Sequence, residues 1–221
     1  MPANTRATRP KEPASPKLPG TLAPADDGLA DDGVYLSAEY GPLDLSARDA
    51  EDVEFDRCRF RETRLAGTAM RRAEFTDAEF TGCDLANLRL TDARLHRTLI
   101  EGSRLTGTAM TGSTLRDVLF RDCRADLSSY RFSRFKNVVF RDCNLGDANF
   151  QEADLSGVRF ERCKLAGAQF SNATMKGTRL SGCDLYGVRG VQSFAGAIVP
   201  ATDAQGLLFA LAAAMNITIE P

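Results

Sequence analysis

From Phe55 to Leu185 the chain repeats every five residues. Reading each fifth residue over that span gives 27 positions, and 26 of them are Leu, Phe, Met, Ile or Tyr; the exception is Ala125. Two residues earlier, from Val53 to Cys183, 26 of 27 positions hold Ala, Cys, Ser, Thr or Val; the exception is Leu88. The remaining positions of each unit are mostly polar, charged or glycine, as in Ala148-Asn149-Phe150-Gln151-Glu152. A helix repeats its apolar face at about 3.6 residues and a strand at about 2, so a period of five predicts neither. It predicts a coil that turns a corner in every unit, with the large residue on the axis and the small one beside it. Four corners make a coil of twenty residues. That longer period is present as a column of Cys83, Cys123, Cys143, Cys163 and Cys183, with Ser103 in the gap. Phe60, Phe80, Ile100, Phe120, Phe140, Phe160 and Leu180 form a second column, and Leu65, Leu85, Leu105, Leu145, Leu165 and Leu185 a third.

Ala153-Asp154-Leu155, Cys183-Asp184-Leu185 and Cys83-Asp84-Leu85 carry a resemblance to the pentapeptide repeat family, whose pattern is A(D/N)LXX. The resemblance runs through about 130 residues without a break. It implies an all-β chain: a right-handed quadrilateral β-helix, with the small and large residues inward and the other three on the outer faces. The 27 units then make just under seven coils. At about 4.8 Å per stacked coil the body is a rod roughly 30 Å long.

The flanks fall outside the pattern. Residues 1–33 hold six of the nine prolines, with Arg6, Arg9, Lys11 and Lys17 preceding Asp26, Asp27, Asp31 and Asp32. They are expected to be a disordered tail, either a solvated leader or a partner-binding arm. No apolar stretch follows the basic residues, so the segment does not read as a secretory signal. The repeat body is expected over 34–190, with 34–52 (Tyr35, Leu36, Tyr40, Leu43, Leu45) as a first, irregular coil. Gly190 and Ala195 then break the pattern. Residues 191–221 are expected to be a cap with a short helix. Thr202-Asp203-Ala204-Gln205 has the form of a capping box, Asn216 is a stop, and Ile217-Thr218-Ile219 a short strand. Leu207, Leu208, Leu211, Ala214 and Met215 have helical spacing. That helix covers the last coil, or it pairs two rods. The second reading comes from the resemblance to quinolone-resistance members of the family, and makes Leu207, Leu208, Leu211 and Met215 a candidate dimer contact.

All six cysteines occupy the small inward position. Stacked Cβ atoms about 4.8 Å apart lie beyond the usual disulfide range of about 3.5–4.5 Å, and a row of parallel thiols cannot surround zinc. They read as core residues of a reducing, cytoplasmic compartment. His96 is the one histidine, which removes most histidine-based catalytic and metal sites. It is expected outward beside Arg94, Arg97, Arg116, Arg134 and Lys136. The longest nearly unbroken apolar run, Leu207 to Met215, is too short to span a bilayer. No cofactor, metal, direct nucleic-acid binding or enzyme activity is expected.

Two places break the outward-polar rule. Leu99, Leu119 and Val139 form an apolar ridge spaced by twenty, flanked by Asp122 and Asp142. These five make a candidate interaction surface. Around Ala125-Asp126-Leu127 a register shifted by two competes: either a bulge forms there, or Leu127 and Phe132 face outward beside the ridge. The rod is thus expected to bind a protein. The resemblance implies a more specific partner, since some family members imitate duplex DNA and bind gyrase or topoisomerase IV, protecting it from quinolones or toxins. Their imitation relies on an acidic surface, whereas this chain has a formal charge of −2. A scaffold or adaptor with an unrelated protein partner is the alternative.

Overall fold

A computed structural model describes residues 11–26 and 28–219. Arg6, Arg9 and Asp27 lie outside them. The chain winds into a right-handed quadrilateral β-helix whose coils pair in parallel, residue i with residue i+20. The paired column Tyr40, Phe60, Phe80, Ile100, Phe120, Phe140, Phe160 and Leu180 runs the length of the rod. Three strands, Arg94–Glu101, Thr114–Arg121 and Arg134–Arg141, continue across one corner and merge two faces into one sheet.

The inward residues form one continuous core. Rings stack at the coil spacing: Tyr40 on Phe60 at 4.6 Å, Phe60 on Phe80 at 4.5 Å, and Tyr130 on Phe150 at 5.0 Å. Coil repeat and ring-stacking distance coincide, so one periodicity satisfies both backbone pairing and side-chain packing. The small inward position also has a polar role that the spacing did not reveal. Its hydroxyl or thiol donates to a carbonyl 23 residues back, as Thr68 to Leu45 (2.6 Å), Ser133 to Met110 (2.5 Å) and Cys163 to Phe140 (3.3 Å). Thr, Ser and Cys thereby satisfy buried carbonyl groups that Ala would leave to other donors. All six cysteines are free and buried.

Both ends differ from expectation. Residues 11–26, expected to be disordered, lie against the rod. Ala23–Pro24 pairs with Ala38–Glu39, and the Asp31 carboxylate accepts from the Glu51 amide at 2.8 Å. The first coil otherwise presents a bare row of N–H and C=O groups, and the segment covers it. In the first coil Val34–Leu36 pairs with Glu54–Asp56. At the other end pairing continues past residue 190: the Leu180 amide donates to Ile198 O at 3.0 Å. Gly190, at φ 74°, is required there, since a Cβ would meet the Ser171 amide nitrogen at 2.3 Å.

The helix spans Ala204–Ala214 and stops before Asn216, at φ 56°. The capping box does not form: Asp203 is the N-cap residue, without a side-chain cap bond. Its carboxylate instead accepts from the amides of Gly182 and, at 3.3 Å, Cys183, groups that the missing next coil would have bonded. Ile217-Thr218-Ile219 is not a strand.

Candidate interaction surfaces

The ridge is not exposed as expected. Val139 is 0% exposed, and Leu99 and Leu119 are half-buried. Its cover comes from residues far away in sequence. The Glu12 carbonyl accepts from Asn137 Nδ2 (3.3 Å), while the Glu12 carboxylate bonds Arg141 (3.1 Å) and Arg159 (3.0 Å). Residues 137 and 141 flank Val139 on its strand, so Glu12 spans it. The Ala14 amide donates to Asp117 Oδ1 (3.3 Å), and the Lys17 amide to Asp77 Oδ1 (2.9 Å). The segment therefore runs as a strap along the corner column Asp77, Arg97, Asp117, Asn137. Burial pushes the Glu12 carboxyl up, but Arg159 and Arg141 outweigh it and hold it below the usual carboxylate range. Asp77 is lowered chiefly by its bond to Arg97. Asp117 is raised by burial, yet lowered overall by Asn137 and the Ala14 amide.

Leu127 and Phe132 do face outward, 62% and 47% exposed, with no bulge and with Ala125 inward. They do not lie beside the ridge. The ridge belongs to the unit 118–122, and these residues bracket the unit 128–132 on the opposite side of the four-sided coil. Both occupy corner positions with φ of 60° and 62°. Most other such corners hold Gly, Asp, Asn or Arg. A bulky residue there is strained. The Arg131 guanidinium lies 5.0 Å from the Phe132 ring centre.

The charged residues pair between coils. Arg59 meets Glu79 at 2.9 Å, Arg141 meets Glu161 at 2.7 Å, and Arg162 grips Asp142 through two bonds of 2.7 Å. Arg71 pairs with Glu51 and Arg94 with Glu74 in the same way. Asp142 is thus held by Arg162, whose hydrogen bond lowers its carboxyl, while Asp122 stands exposed at the neighbouring corner. His96 faces outward in line with Arg116 and Lys136. Burial and the Arg97 and Arg116 charges depress its pKa. That basic group is mixed with acid, because Arg97 is clamped to Asp77 and Arg116 lies 3.7 Å from Asp117. Among the described residues no cluster of three or more His, Cys, Asp or Glu side chains could hold a metal, and no helix is long and apolar enough to cross a membrane.

The C-terminal helix splits the candidate dimer residues. Leu207 packs on the core end, whereas Leu208, Leu211 and Met215 stay exposed. Between helix and last coil lies a groove of about 560 Å³, lined by Tyr186, Val188, Val191, Phe209 and Ala213 among others.

A family model described as pentapeptide repeat region matches residues 73–150 and 126–189, together more than half of the chain. The chain belongs to the pentapeptide repeat family. Solved pentapeptide repeat structures are similar to it at low identity. A trypsin-treated QnrB1 variant, described as a plasmid-mediated fluoroquinolone resistance protein, is 17% identical, with 85% of this chain covering 100% of that one at TM-score 0.37. HetL, involved in heterocyst differentiation regulation in the cyanobacterium Nostoc sp. strain PCC 7120, is 18% identical, covering 72% and 89% at TM-score 0.32. A pentapeptide repeat protein of the Arabidopsis thaliana thylakoid lumen is 18% identical, covering 50% and 67% at TM-score 0.22. No curated protein matches the chain.

Proposed function

We propose that this pentapeptide repeat rod is a non-enzymatic, cytoplasmic adaptor that binds a protein partner through its outer faces. The observation that carries the reading is the pair Leu127 and Phe132. Two bulky apolar side chains are held exposed in a left-handed backbone conformation, at positions where the same rod elsewhere mostly uses Gly or a polar or charged residue, chiefly Asp, Asn and Arg. Strain retained without a packing return fits a recognition element. The inter-coil ion pairs support an adaptor over a DNA mimic. They alternate the sign of charge along the rod axis, whereas imitation of duplex DNA needs a continuous negative stripe.

Binding to a type II topoisomerase is the second reading. It is favoured by the apolar C-terminal end, where Leu208, Leu211 and Met215 beside the groove are suited to join two rods into a longer dimer. The deciding experiment adds the purified protein to gyrase and topoisomerase IV of its own host across a salt series. The adaptor reading predicts unchanged supercoiling and quinolone cleavage at every salt concentration. Inhibition that weakens as salt rises would establish the second reading instead.

A further inference from the structure

The strap is matched to the lattice of the rod. Between Ala14 and Lys17 the strap advances three residues. Their acceptors, Asp117 and Asp77, are forty residues or two coils apart. Two coils rise about 9.6 Å, and three residues of polyproline II helix rise about 9.3 Å. The corner column offers its carboxylates on alternate coils, Asp77 and Asp117, with Arg97 between them and Asn137 beyond. The strap answers with Pro13, Pro16 and Pro19, one per turn of such a helix and all half-buried, while Ala14, Ser15 and Lys17 are exposed. Prolines lack an N–H, and of the amides that remain those of Ala14 and Lys17 fall where a carboxylate stands.

Nothing in this contact is peculiar to the chain's own tail. The rod engages two backbone amides at three-residue spacing and one carboxylate between Arg141 and Arg159, along a segment whose three prolines are half-buried. Any extended segment with an acidic residue before a proline repeat of three presents the same groups. From this we infer that the ridge face is a docking groove for a partner's proline-rich segment of the form Glu-Pro-x-x-Pro-x-x-Pro, and that residues 11–19 occupy it in the free protein. The inference deepens the protein-binding reading but uses the face opposite Leu127 and Phe132, so its failure leaves that reading standing.

The test uses the full chain and a labelled synthetic peptide with the sequence of residues 11–19. In the wild type, amide exchange should be slowed at Ala14 and Lys17 but not at Ser15. The peptide should bind wild type weakly, because the strap leaves only a small fraction of grooves open. A variant carrying Glu12→Ala and Pro16→Gly should bind it at least about tenfold more tightly. Adding Asp117→Ala to that variant should remove the gain, with an unchanged circular dichroism spectrum showing that the rod is intact. Exchange at Ala14 and Lys17 as fast as in the free peptide would overturn the proposal. So would equal peptide affinity of released and wild-type protein. A dimer held together by exchanged straps would also overturn it, assigning the groove to a second copy.

Discussion

Leu119 and Val139 on one side of the rod, and Leu127 and Phe132 on the other, break the same rule by placing apolar groups at outward positions. Their fates are opposite. Val139 is completely buried between Asn137 and Arg141, which both hold Glu12, while Leu127 is 62% exposed. The backbone differs as well: the ridge lies on regular strands, whereas Leu127 and Phe132 sit at left-handed corners. An outward apolar residue in a repeat protein therefore carries no single meaning. On a strand it serves as a platform for a second segment; at a left-handed corner it stays largely open to solvent.

Substitutions separate these cases by size of effect. Leu145→Asp, on the axis and 0% exposed, sets the upper limit, because it buries an unpaired charge at a cost of several kcal/mol. Val139→Asp should cost about 1–3 kcal/mol, less than the axis because the strap can lift away. Leu127→Gly should stabilise the rod by about 0.5–1 kcal/mol, relief of the left-handed strain being partly offset by the freedom glycine gains in the unfolded chain. Asp154→Ala, outward and exposed, should stay within about half a kcal/mol. Denaturant melts of the four variants give this order. A loss for Leu127→Gly equal to that for Val139→Asp would erase the distinction between the faces.

Acid offers a second way to separate them. Glu12, Asp77 and Asp117 are all held below their ordinary values with the strap in place. Their contribution is therefore complete above the ordinary carboxylate range and is lost as pH falls through the lowered values. Exchange protection of Ala14 and Lys17 should fall in that window, while backbone protection around Leu127 holds. The thiols give the smallest contrast along the chain. All six cysteines are buried, so they should label slowly in the native state and fully after denaturation. Fast native labelling would put the small column outside.

The rod was legible because its signal is local and repeated. Each unit states its own inward pair, and Phe60 needs only its neighbours one coil away, Tyr40 and Phe80, to define its column. Ala125 kept the register because its neighbours on the column, Leu105 and Leu145, hold the coils on either side. The cover of Val139 was not legible: it joins Glu12 to residues 125 to 147 positions away, and tail composition alone reads as disorder. The spacing of Pro13, Pro16 and Pro19 was the available signal, and it gains meaning only beside the forty-residue spacing of Asp77 and Asp117. The capping box failed for a related reason. Thr202-Asp203-Ala204-Gln205 fits a helix start, but the open edge at Gly182 and Cys183 competes for the Asp203 carboxylate and takes it.

The most direct test of the contrast between the faces is methyl NMR of the full chain with a soluble paramagnetic probe. The account predicts strong broadening of the Leu127 methyls, none at Val139, and an intermediate effect at Leu119. Equal broadening at Val139 and Leu127 would mean that the strap does not cover the ridge, and would contradict the account.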